Sequence, residues 1–257
     1  MAGRGVAVDT QSLNRLWRLL ATAGGFVLFG VFGVLFKVLL LPFLYGSGSL
    51  KRQKQARRLV TASWRVFARY LTACGIVRVR FHGFERLGRP GQLILANHPS
   101  LLDVVFILGR VPEANCIVKT ALLNNPAMNS QIRACGYVPN REDLDFVEKI
   151  HQVLQEECLL VFPEGTRTGW DGKVAFHRGA VSMGLRSAAV ITPVRVKMRP
   201  PNYKKGQPWY KIPVQRPEYD FIVGEDIDPQ SWLAEKPLPI AARHLNDYLQ
   251  NYFNEGT

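Results

Sequence analysis

Residues 93–103 read Leu-Ile-Leu-Ala-Asn-His-Pro-Ser-Leu-Leu-Asp, a short apolar run that ends at a polar turn. Leu93–Ala96 is typical of a buried strand. Pro99 fixes its own φ and pushes His98 toward an extended conformation, so a helix begins only after the histidine. We expect Ser100 to cap that helix and Asp103 to lie in its first turn. Because functional groups gather at the carboxyl ends of strands in α/β folds, the stretch predicts a site at this strand end.

Two roles are open for Asp103. The pattern Ser100-x-x-Asp103 is typical of a capping box, which explains the carboxylate without any chemistry. The same carboxylate can accept a hydrogen bond from the His98 ring, which fixes the tautomer and leaves the other ring nitrogen basic. The two roles can coexist, so His98 and Asp103 are our candidate general base and orienting carboxylate.

A second apolar run, Cys158–Phe162, ends at the turn Pro-Glu-Gly-Thr-Arg, residues 163–167. Gly165 permits an unusual backbone conformation, Thr166 supplies a hydroxyl group, and Arg167 supplies a planar cation that suits phosphate or carboxylate. By itself the turn is also compatible with a local Glu–Arg pair. Together with the first strand end, it predicts an anion-binding loop beside the histidine.

From residue 77 onward, short β-rich runs alternate with helical patterns. Such alternation predicts an α/β domain around a mixed, largely parallel sheet flanked by helices. The predicted strands are Val77–Phe81, Leu93–Ala96, Cys116–Val118, Cys158–Phe162 and Val190–Val196. The predicted helices are Leu101–Leu108, Leu144–Gln155, Gly179–Arg186 and Ile240–Tyr252. The stretch Arg199–Glu218, rich in Pro, Lys, Tyr and Trp, is expected to be a long ordered loop.

The N-terminal third carries almost all of the net charge. Residues 1–80 hold 13 Lys and Arg against Asp9 alone, whereas residues 81–257 hold 20 Lys and Arg against 19 acidic residues. Within the basic part, Leu19–Phe36 has no charged residue, and the apolar run resumes after Lys37; uncharged runs of about 18 residues are membrane-helix candidates. A spanning helix, a re-entrant hairpin and an in-plane anchor all remain open.

The cations beside this run favour a catalytic domain on the cytoplasmic face of a membrane, in bacteria the inner membrane. They are Arg4, Arg15, Arg18, Lys51, Arg52, Lys54, Arg57 and Arg58.

A basic amphipathic helix is predicted over residues 51–74. Val60, Trp64, Phe67 and Leu71 recur on one side, and cations on another. Contact of the apolar side with an anionic bilayer and packing of that side on the domain are both open. The cations are Lys54, Arg58, Arg65 and Arg69. We therefore expect a membrane anchor over residues 1–50, this helix over residues 51–76 and a catalytic domain over residues 77–257.

Other classes of function are disfavoured by the remaining residues. The four cysteines form no Cys-x-x-Cys pair and suit reduced, buried thiols. A zinc or iron enzyme would need a second ligand cluster beside His98 and Asp103, and none is visible among His82, His151, His177 and His244, so we expect no metal. Nucleic-acid binding is disfavoured because the basic residues flank an apolar run and the domain itself is nearly neutral.

The motifs, in this order, resemble those of the glycerolipid acyltransferase family, and the resemblance covers about residues 92–196. Asn97 through Asp103 is similar to the family's His-x4-Asp motif, and Phe162 through Arg167 to its Phe-Pro-Glu-Gly-Thr-Arg motif. Ile191–Val194 resembles its proline-containing fourth motif. Phe176-x-Arg178-Gly179 also fits, although family members more often carry Lys where this chain has His177.

The resemblance implies a membrane-bound O-acyltransferase with no cofactor other than its acyl donor, acyl-CoA or acyl-carrier protein. The acceptor would be the hydroxyl of a lysophospholipid such as 1-acylglycerol-3-phosphate. His98 would deprotonate that hydroxyl and Asp103 would stabilise the imidazolium. The residues expected to bind the acceptor are Glu164, Gly165, Thr166, Arg167, Arg141 and Arg178.

One segment departs from the family pattern. Gly136–Arg141 is one residue shorter than the family's second motif, contains Pro139, and is followed by Glu142, Asp143 and Asp145. These acids weaken the local field that would hold an acceptor phosphate. A different lipid alcohol therefore stays open as the acceptor. A non-catalytic lipid-binding homologue is a further alternative, but such a protein would be expected to lose the histidine or the aspartate of the first motif.

Overall fold

A computed structural model describes residues 10–44, 48–141 and 144–255 of the chain. Arg4, Asp9, Glu142 and Asp143, which entered the sequence analysis, lie outside the described residues. The described helices are α1 (Thr10–Leu39), α2 (Leu41–Leu44), α3 (Leu50–Ala73), α4 (Asp103–Arg110), α5 (Asn129–Cys135), α6 (Leu144–Glu156), α7 (Arg178–Ser187), α8 (Pro229–Glu235) and α9 (Leu238–Asn254). The described strands are β1 (Arg78–His82), β2 (Gln92–Ala96), β3 (Asn115–Lys119), β4 (Val138–Asn140), β5 (Leu159–Val161), β6 (Val190–Arg199) and β7 (Glu218–Val223).

The strands form one sheet with β2 in the middle. The order is β1-β7-β6-β2-β5-β3-β4, and every neighbouring pair is parallel except β6 with β7. All five residues of β2 are buried, as expected for a strand covered on both faces. The predicted mixed, largely parallel sheet is therefore confirmed, and the parallel pairing brings the carboxyl ends of β2 and β5 to the same edge.

The side chains of β2 divide the core between the two faces of the sheet. Ile94 and Ala96 belong to a cluster that includes buried residues of α3 and α4, and Leu93 and Leu95 to a cluster with residues of α6, α7 and α9. Successive residues of a strand point to opposite faces, so this alternation follows from the backbone. Both faces of the sheet are thus covered by helices.

The sequence missed four elements of the domain: β4, β7, α5 and α8. β4 contains Pro139 and pairs only with β3, at the edge of the sheet, where a missing N–H costs little. β7 alternates half-buried and buried residues, but it follows directly on the long loop that was predicted to end at Glu218. The short length of β4 and the position of β7 hid their patterns.

α1 is one continuous helix, which excludes a re-entrant hairpin within residues 10–39. One side of it packs along the domain: the Trp17 indole donates to the Cys74 carbonyl over 3.0 Å, and the Tyr70 hydroxyl donates to the Ala21 carbonyl over 2.7 Å. A Cβ atom at Gly24 would lie 2.6 Å from the Tyr70 hydroxyl oxygen, so glycine permits this close approach. Among the described residues, α1 is the one helix long and apolar enough to cross a membrane.

α3 packs against α4 and α5 of the domain. Val60, Phe67 and Leu71 of its apolar side are buried, and the Trp64 ring stacks on Phe29 of α1 with centroids 5.9 Å apart. Arg58, on the cationic side, stays exposed. The structure therefore decides between the two interpretations of this helix: its apolar side is covered by protein and is not available to a bilayer.

Arg57 of α3 is buried, although the sequence analysis counted it among the cations that flank the apolar run. Its guanidinium group donates to the Cys135 carbonyl over 2.7 Å and to the Glu113 carbonyl over 3.0 Å, and it forms an ion pair with the buried Glu157. Burial lowers the pKa of Arg57. Arg57 therefore attaches α3 to the domain and adds nothing to a surface charge.

We predict that Arg57→Met lowers the free energy of unfolding by about 3–5 kcal/mol, because it leaves the Glu157 carboxylate buried without a partner. Arg58→Met, one position on, breaks an exposed pair with Glu113 and should cost less than about 1 kcal/mol. Denaturant unfolding in mild detergent measures both values. If the double variant Arg57→Met/Glu157→Met recovers no stability relative to Arg57→Met, the buried-charge explanation is wrong.

Candidate active site

The end of β2 is fixed to the neighbouring strand by a side chain that the sequence analysis did not single out. The buried Asn97 amide donates to the Val196 carbonyl over 2.9 Å and accepts from the Val196 N–H over 2.7 Å. This pair of bonds continues the β2–β6 ladder by one side chain. The next residue, His98, therefore leaves the sheet in a fixed direction.

The structure brings His98 and Asp103 together. The Nδ1 atom of His98 lies 2.9 Å from the Oδ2 atom of Asp103, which is completely buried. The same oxygen accepts from the Ser100 N–H over 2.7 Å, as the acid of a capping box does. Both roles proposed for the aspartate are thus present in one oxygen atom.

The expected position of the helix cap was wrong. α4 begins at Asp103 with Leu102 as its N-cap, and residues 100–102 form a turn before it. The Ser100 hydroxyl still accepts from the Leu102 N–H over 3.3 Å, and it also forms a hydrogen bond with the hydroxyl of the buried Tyr219 of β7 over 2.9 Å. The helix therefore starts two residues later than expected, after a turn that the serine side chain supports.

The environment of the pair determines which ring nitrogen is free. Asp103 accepts hydrogen bonds, so the proton of a neutral His98 ring is assigned to Nδ1, and Nε2 carries the lone pair. The His98 side chain is 17% exposed, and its ring lies against Phe162 with centroids 4.4 Å apart. Burial raises the pKa of Asp103, while the bonds from His98 and Ser100 oppose that rise. The ring is therefore oriented by one neighbour, packed on another and partly open.

Glu164 locks the two strand-end loops together. Its Oε1 atom accepts from the His98 N–H over 2.8 Å and from the Thr168 hydroxyl over 2.9 Å, and the Thr168 N–H donates to the His98 carbonyl over 2.7 Å. Burial raises the pKa of Glu164. In this arrangement the carboxylate positions the histidine backbone, and its contact with an acceptor stays a prediction.

The turn after β5 needs glycine at its centre. Gly165 has φ +62° and donates its N–H to the Phe162 carbonyl over 3.0 Å, and a Cβ atom there would lie 3.4 Å from the His177 ring. Thr166, beside it, is half-buried. The turn and the start of α7 are thus in contact, which places the exposed Arg178 on this side of the site.

Arg167 points toward the long loop between β6 and β7. Its Nη1 atom donates to the Tyr203 carbonyl over 2.7 Å and to the Lys204 carbonyl over 3.2 Å. Burial lowers the pKa of Arg167, and the negative charge of Asp103 opposes that shift. Neither the Nε nor the Nη2 atom of this half-buried side chain has a hydrogen-bond partner among the described residues.

Arg141 does not join this group. It is exposed and follows β4 at the edge of the sheet, whereas the histidine follows β2. Three strand spacings separate β2 from β4, roughly 14 Å. Its part in acceptor binding stays a prediction.

Lys204 also lies at this site, although no sequence pattern predicted it: it is 5% exposed and donates to the Gly169 carbonyl over 2.5 Å. In a loop rich in Pro and Lys, no sequence pattern distinguishes a buried lysine from the exposed lysines beside it. Asn97, by contrast, directly precedes the histidine and could have been noticed. In the described part of the chain, no group of three or more His, Cys, Asp or Glu side chains is arranged to hold a metal ion.

Comparison with known proteins finds the same family as the motifs. The Acyltransferase family model matches residues 78–197. A 1-acyl-sn-glycerol-3-phosphate acyltransferase of Pseudomonas aeruginosa is 26% identical over 208 residues, which cover 77% of this chain and 76% of that protein. One of Saccharomyces cerevisiae is 29% identical over 129 residues, or 46% of this chain and 42% of that protein. A chloroplastic one of Arabidopsis thaliana is 25% identical over 126 residues, or 46% of this chain and 35% of that protein.

The fold has a solved counterpart. The crystal structure of the 1-acyl-sn-glycerophosphate acyltransferase PlsC from Thermotoga maritima superposes with a TM-score of 0.68 at 21% identity, over 94% of this chain and 99% of that one. Of the relatives above, the chain spans about a third of the plant protein and less than half of the yeast protein. The predicted fold class is confirmed, and the family model and these relatives support the predicted family.

We predict that Asp103→Ala changes the tautomer of the His98 ring. The substitution removes the oxygen that accepts from Nδ1–H, so nothing holds the ring proton on Nδ1 and the neutral ring then populates the Nε2–H tautomer. NMR of protein labelled with 15N-histidine distinguishes the two neutral tautomers, and the spectrum of His98→Ala identifies the signal. Asp171→Ala, at an exposed acid, is the control. An unchanged tautomer in Asp103→Ala would contradict the assigned orientation.

Proposed function

We propose that this chain is an acyltransferase, as its motifs and the matching family model indicate, and that it transfers an acyl group from an acyl thioester to the hydroxyl of a lysophospholipid such as 1-acylglycerol-3-phosphate. The observation that carries the proposal is the His98–Asp103 pair. Its Nδ1 end is fixed by a buried carboxylate, and no described residue bonds to its Nε2 end. A ring nitrogen that is basic, oriented and partly exposed is what deprotonation of a hydroxyl requires.

The reaction needs one base and no covalent enzyme intermediate. Nε2 of His98 takes the proton of the acceptor hydroxyl as its oxygen attacks the thioester carbonyl carbon, and Asp103 stabilises the resulting imidazolium. The new C–O bond forms in a tetrahedral intermediate, and the C–S bond then breaks. The thiolate leaves and receives the proton from the imidazolium. Since thiolate is a good leaving group, direct transfer is sufficient.

The acceptor head group is proposed to bind beside the turn at residues 163–167. Arg167 has two donor atoms without a partner among the described residues, and a guanidinium group suits phosphate geometry. Arg178 lies at the start of α7, which touches the same turn through His177. These cations support a phosphate-bearing acceptor. A neutral lipid alcohol remains the second candidate because of the acids after Arg141.

Membrane binding through α1 is part of the proposal. The side of α1 away from the domain exposes large apolar residues along its whole length: Leu13, Leu16, Leu20, Val27, Val31, Val34 and Val38. The other side contacts α3 along its length, so a surrounding bilayer would have to detach α1 from the domain. These contacts support a helix that lies in the plane of one leaflet. The ring of Phe26 lies 5.6 Å from that of Trp209, which extends the apolar surface to the long loop.

Donor and side of the membrane are proposed from general chemistry. All four cysteines are free and three are buried, which is compatible with a reducing, cytoplasmic location. Acyl-CoA and acyl-carrier protein both occur there, and either supplies the thioester. We expect no other cofactor.

His98→Ala tests the function. Purified wild-type protein should acylate 1-acylglycerol-3-phosphate with labelled acyl-CoA or acyl-carrier protein, and the variant should lose on the order of 10²–10⁴-fold in kcat, as expected for a general base. His151→Ala, an exposed histidine on the other side of the sheet, should keep wild-type turnover.

The same assay with an uncharged lipid alcohol separates the two acceptor classes. Transfer only to the neutral acceptor would replace the lysophospholipid proposal. Absence of any transfer by wild-type protein to a panel of lysolipids, with both donors, would reject the enzymatic proposal.

The membrane proposal predicts that Val27→Asp/Val34→Asp weakens binding to liposomes at least tenfold, because two charges must enter the acyl-chain boundary. Val147→Asp, at an exposed valine of α6 on the opposite face of the sheet, should leave binding unchanged. Co-sedimentation with vesicles of neutral and anionic lipid measures both. Equal binding by the two variants would mean that another surface holds the protein to the membrane.

A further inference from the structure

Lys204 is a buried cation in the loop whose carbonyl groups bind Arg167 of the candidate site. Its side chain is 5% exposed, and its Nζ atom donates to the Gly169 carbonyl and lies 6.0 Å from the centre of the Trp170 ring. No carboxylate of the described residues lies within ion-pair distance of Nζ. An ammonium group taken out of water without a direct counter-ion is costly, and such groups are rare in proteins.

The field of this ammonium reaches the carboxylates that orient the histidine. Burial lowers the pKa of Lys204, and Glu164, Asp103 and Asp171, in that order, oppose the shift. The positive charge of Lys204 in turn opposes the rise that burial causes in the pKa of Asp103. The lysine is thus coupled electrostatically to the site without touching the His98 ring.

The carboxylate of Asp103 is only partly stabilised by hydrogen bonds, so a nearby positive charge helps to keep it ionised. Its Oδ2 atom accepts two hydrogen bonds, whereas its Oδ1 atom is buried and has no hydrogen-bond partner among the described residues. A buried carboxylate that is only half satisfied tends to take up a proton. If Asp103 became neutral, it could no longer stabilise an imidazolium.

We propose that Lys204 is a positioning residue of this site, whose buried ammonium keeps Asp103 and Glu164 ionised and so keeps His98 oriented as a base. The inference rests on the proposed function for its kinetic consequence. Its electrostatic part concerns the folded protein alone. Lys204 itself touches neither the reacting atoms nor the ring.

The charged groups around the aspartate come from four elements, and the proposal concerns the balance among them. His98 faces it from the end of β2, Glu164 and Arg167 from the turn after β5, and Lys204 from the loop after β6. The buried Tyr219 hydroxyl faces it from β7, and burial raises the pKa of that hydroxyl far above its usual value. The two cations, Arg167 and Lys204, therefore balance the charge of the two carboxylates. Removing the charge of Lys204 leaves an excess of negative charge.

The kinetic test compares substitutions that separate charge from hydrogen bonding. Lys204→Gln keeps a hydrogen-bond donor but has no charge, whereas Lys204→Arg keeps both a donor and the positive charge. Lys205→Gln, the exposed neighbour, is the matched control. We expect Lys204→Gln to move the acid limb of the pH profile of kcat upward by about one pH unit, since loss of a nearby positive charge raises the apparent pKa of the groups beside it. Lys204→Arg and Lys205→Gln should keep the wild-type limb.

A second readout does not require activity. A carboxyl group with a raised folded-state pKa makes the protein less stable as the pH rises from its unfolded pKa to its folded one. Lys204→Gln raises the folded pKa of the two carboxyls further, so its Tm should fall more between pH 5 and pH 7.5 than that of wild type or Lys205→Gln. Lys204→Arg should restore the wild-type dependence.

The outcomes separate failure of this inference from failure of the proposed function. A uniform loss of kcat at every pH, with an unmoved acid limb and an unchanged pH dependence of Tm, would show that Lys204 only braces the Gly169 loop and would overturn the proposal. If the Tm behaves as expected but wild-type protein transfers no acyl group, the charge balance stands and the assigned reaction is wrong.

Discussion

The parallel pairing of β2 with β5 is the constraint on which the candidate site depends. It brings two strand ends to one edge of the sheet, and the hydrogen bonds that follow can form only there: Glu164 to the His98 N–H, and the Thr168 N–H to the His98 carbonyl. The buried Asp103 then fixes the ring. Each of these groups holds the backbone or the orientation of the histidine, so its free nitrogen is set by the strand order of the sheet.

The sequence predicts those residues of the site that lie close together within one turn of the chain. His98 and Asp103 are five residues apart, and Gly165 and Arg167 lie in one loop, so local patterns place them. Most strands could also be predicted, because a short apolar run bounded by turn residues is typical of a buried strand. Lys204 was not predictable, since its contacts are with Arg167, Gly169 and Trp170, which are distant in sequence.

The apolar helix α1 shows what a hydrophobic pattern cannot predict. Hydropathy identifies α1 as apolar but does not say which side meets protein, because both the packed and the exposed sides are rich in Ala, Gly, Leu, Val and Phe. The same holds for α3, whose amphipathic pattern fits a bilayer and a domain equally well. Arg57 illustrates the ambiguity: in the sequence it is one of several flanking cations, and in the fold it is the buried partner of Glu157.

One loop, residues 200–217, connects the exposed helix to the candidate site. Arg18 of α1 donates to the carbonyls of Pro213 and Gln215, and the Tyr203 hydroxyl donates to Thr22 of α1. At the other end of the loop, Arg167 holds the carbonyls of residues 203 and 204. A lipid surface that fixes α1 would therefore also fix the loop that carries Lys204. The buried ammonium and the apolar helix are ends of one connected structure, so the charge balance around the aspartate and the attachment of α1 depend on the same contacts.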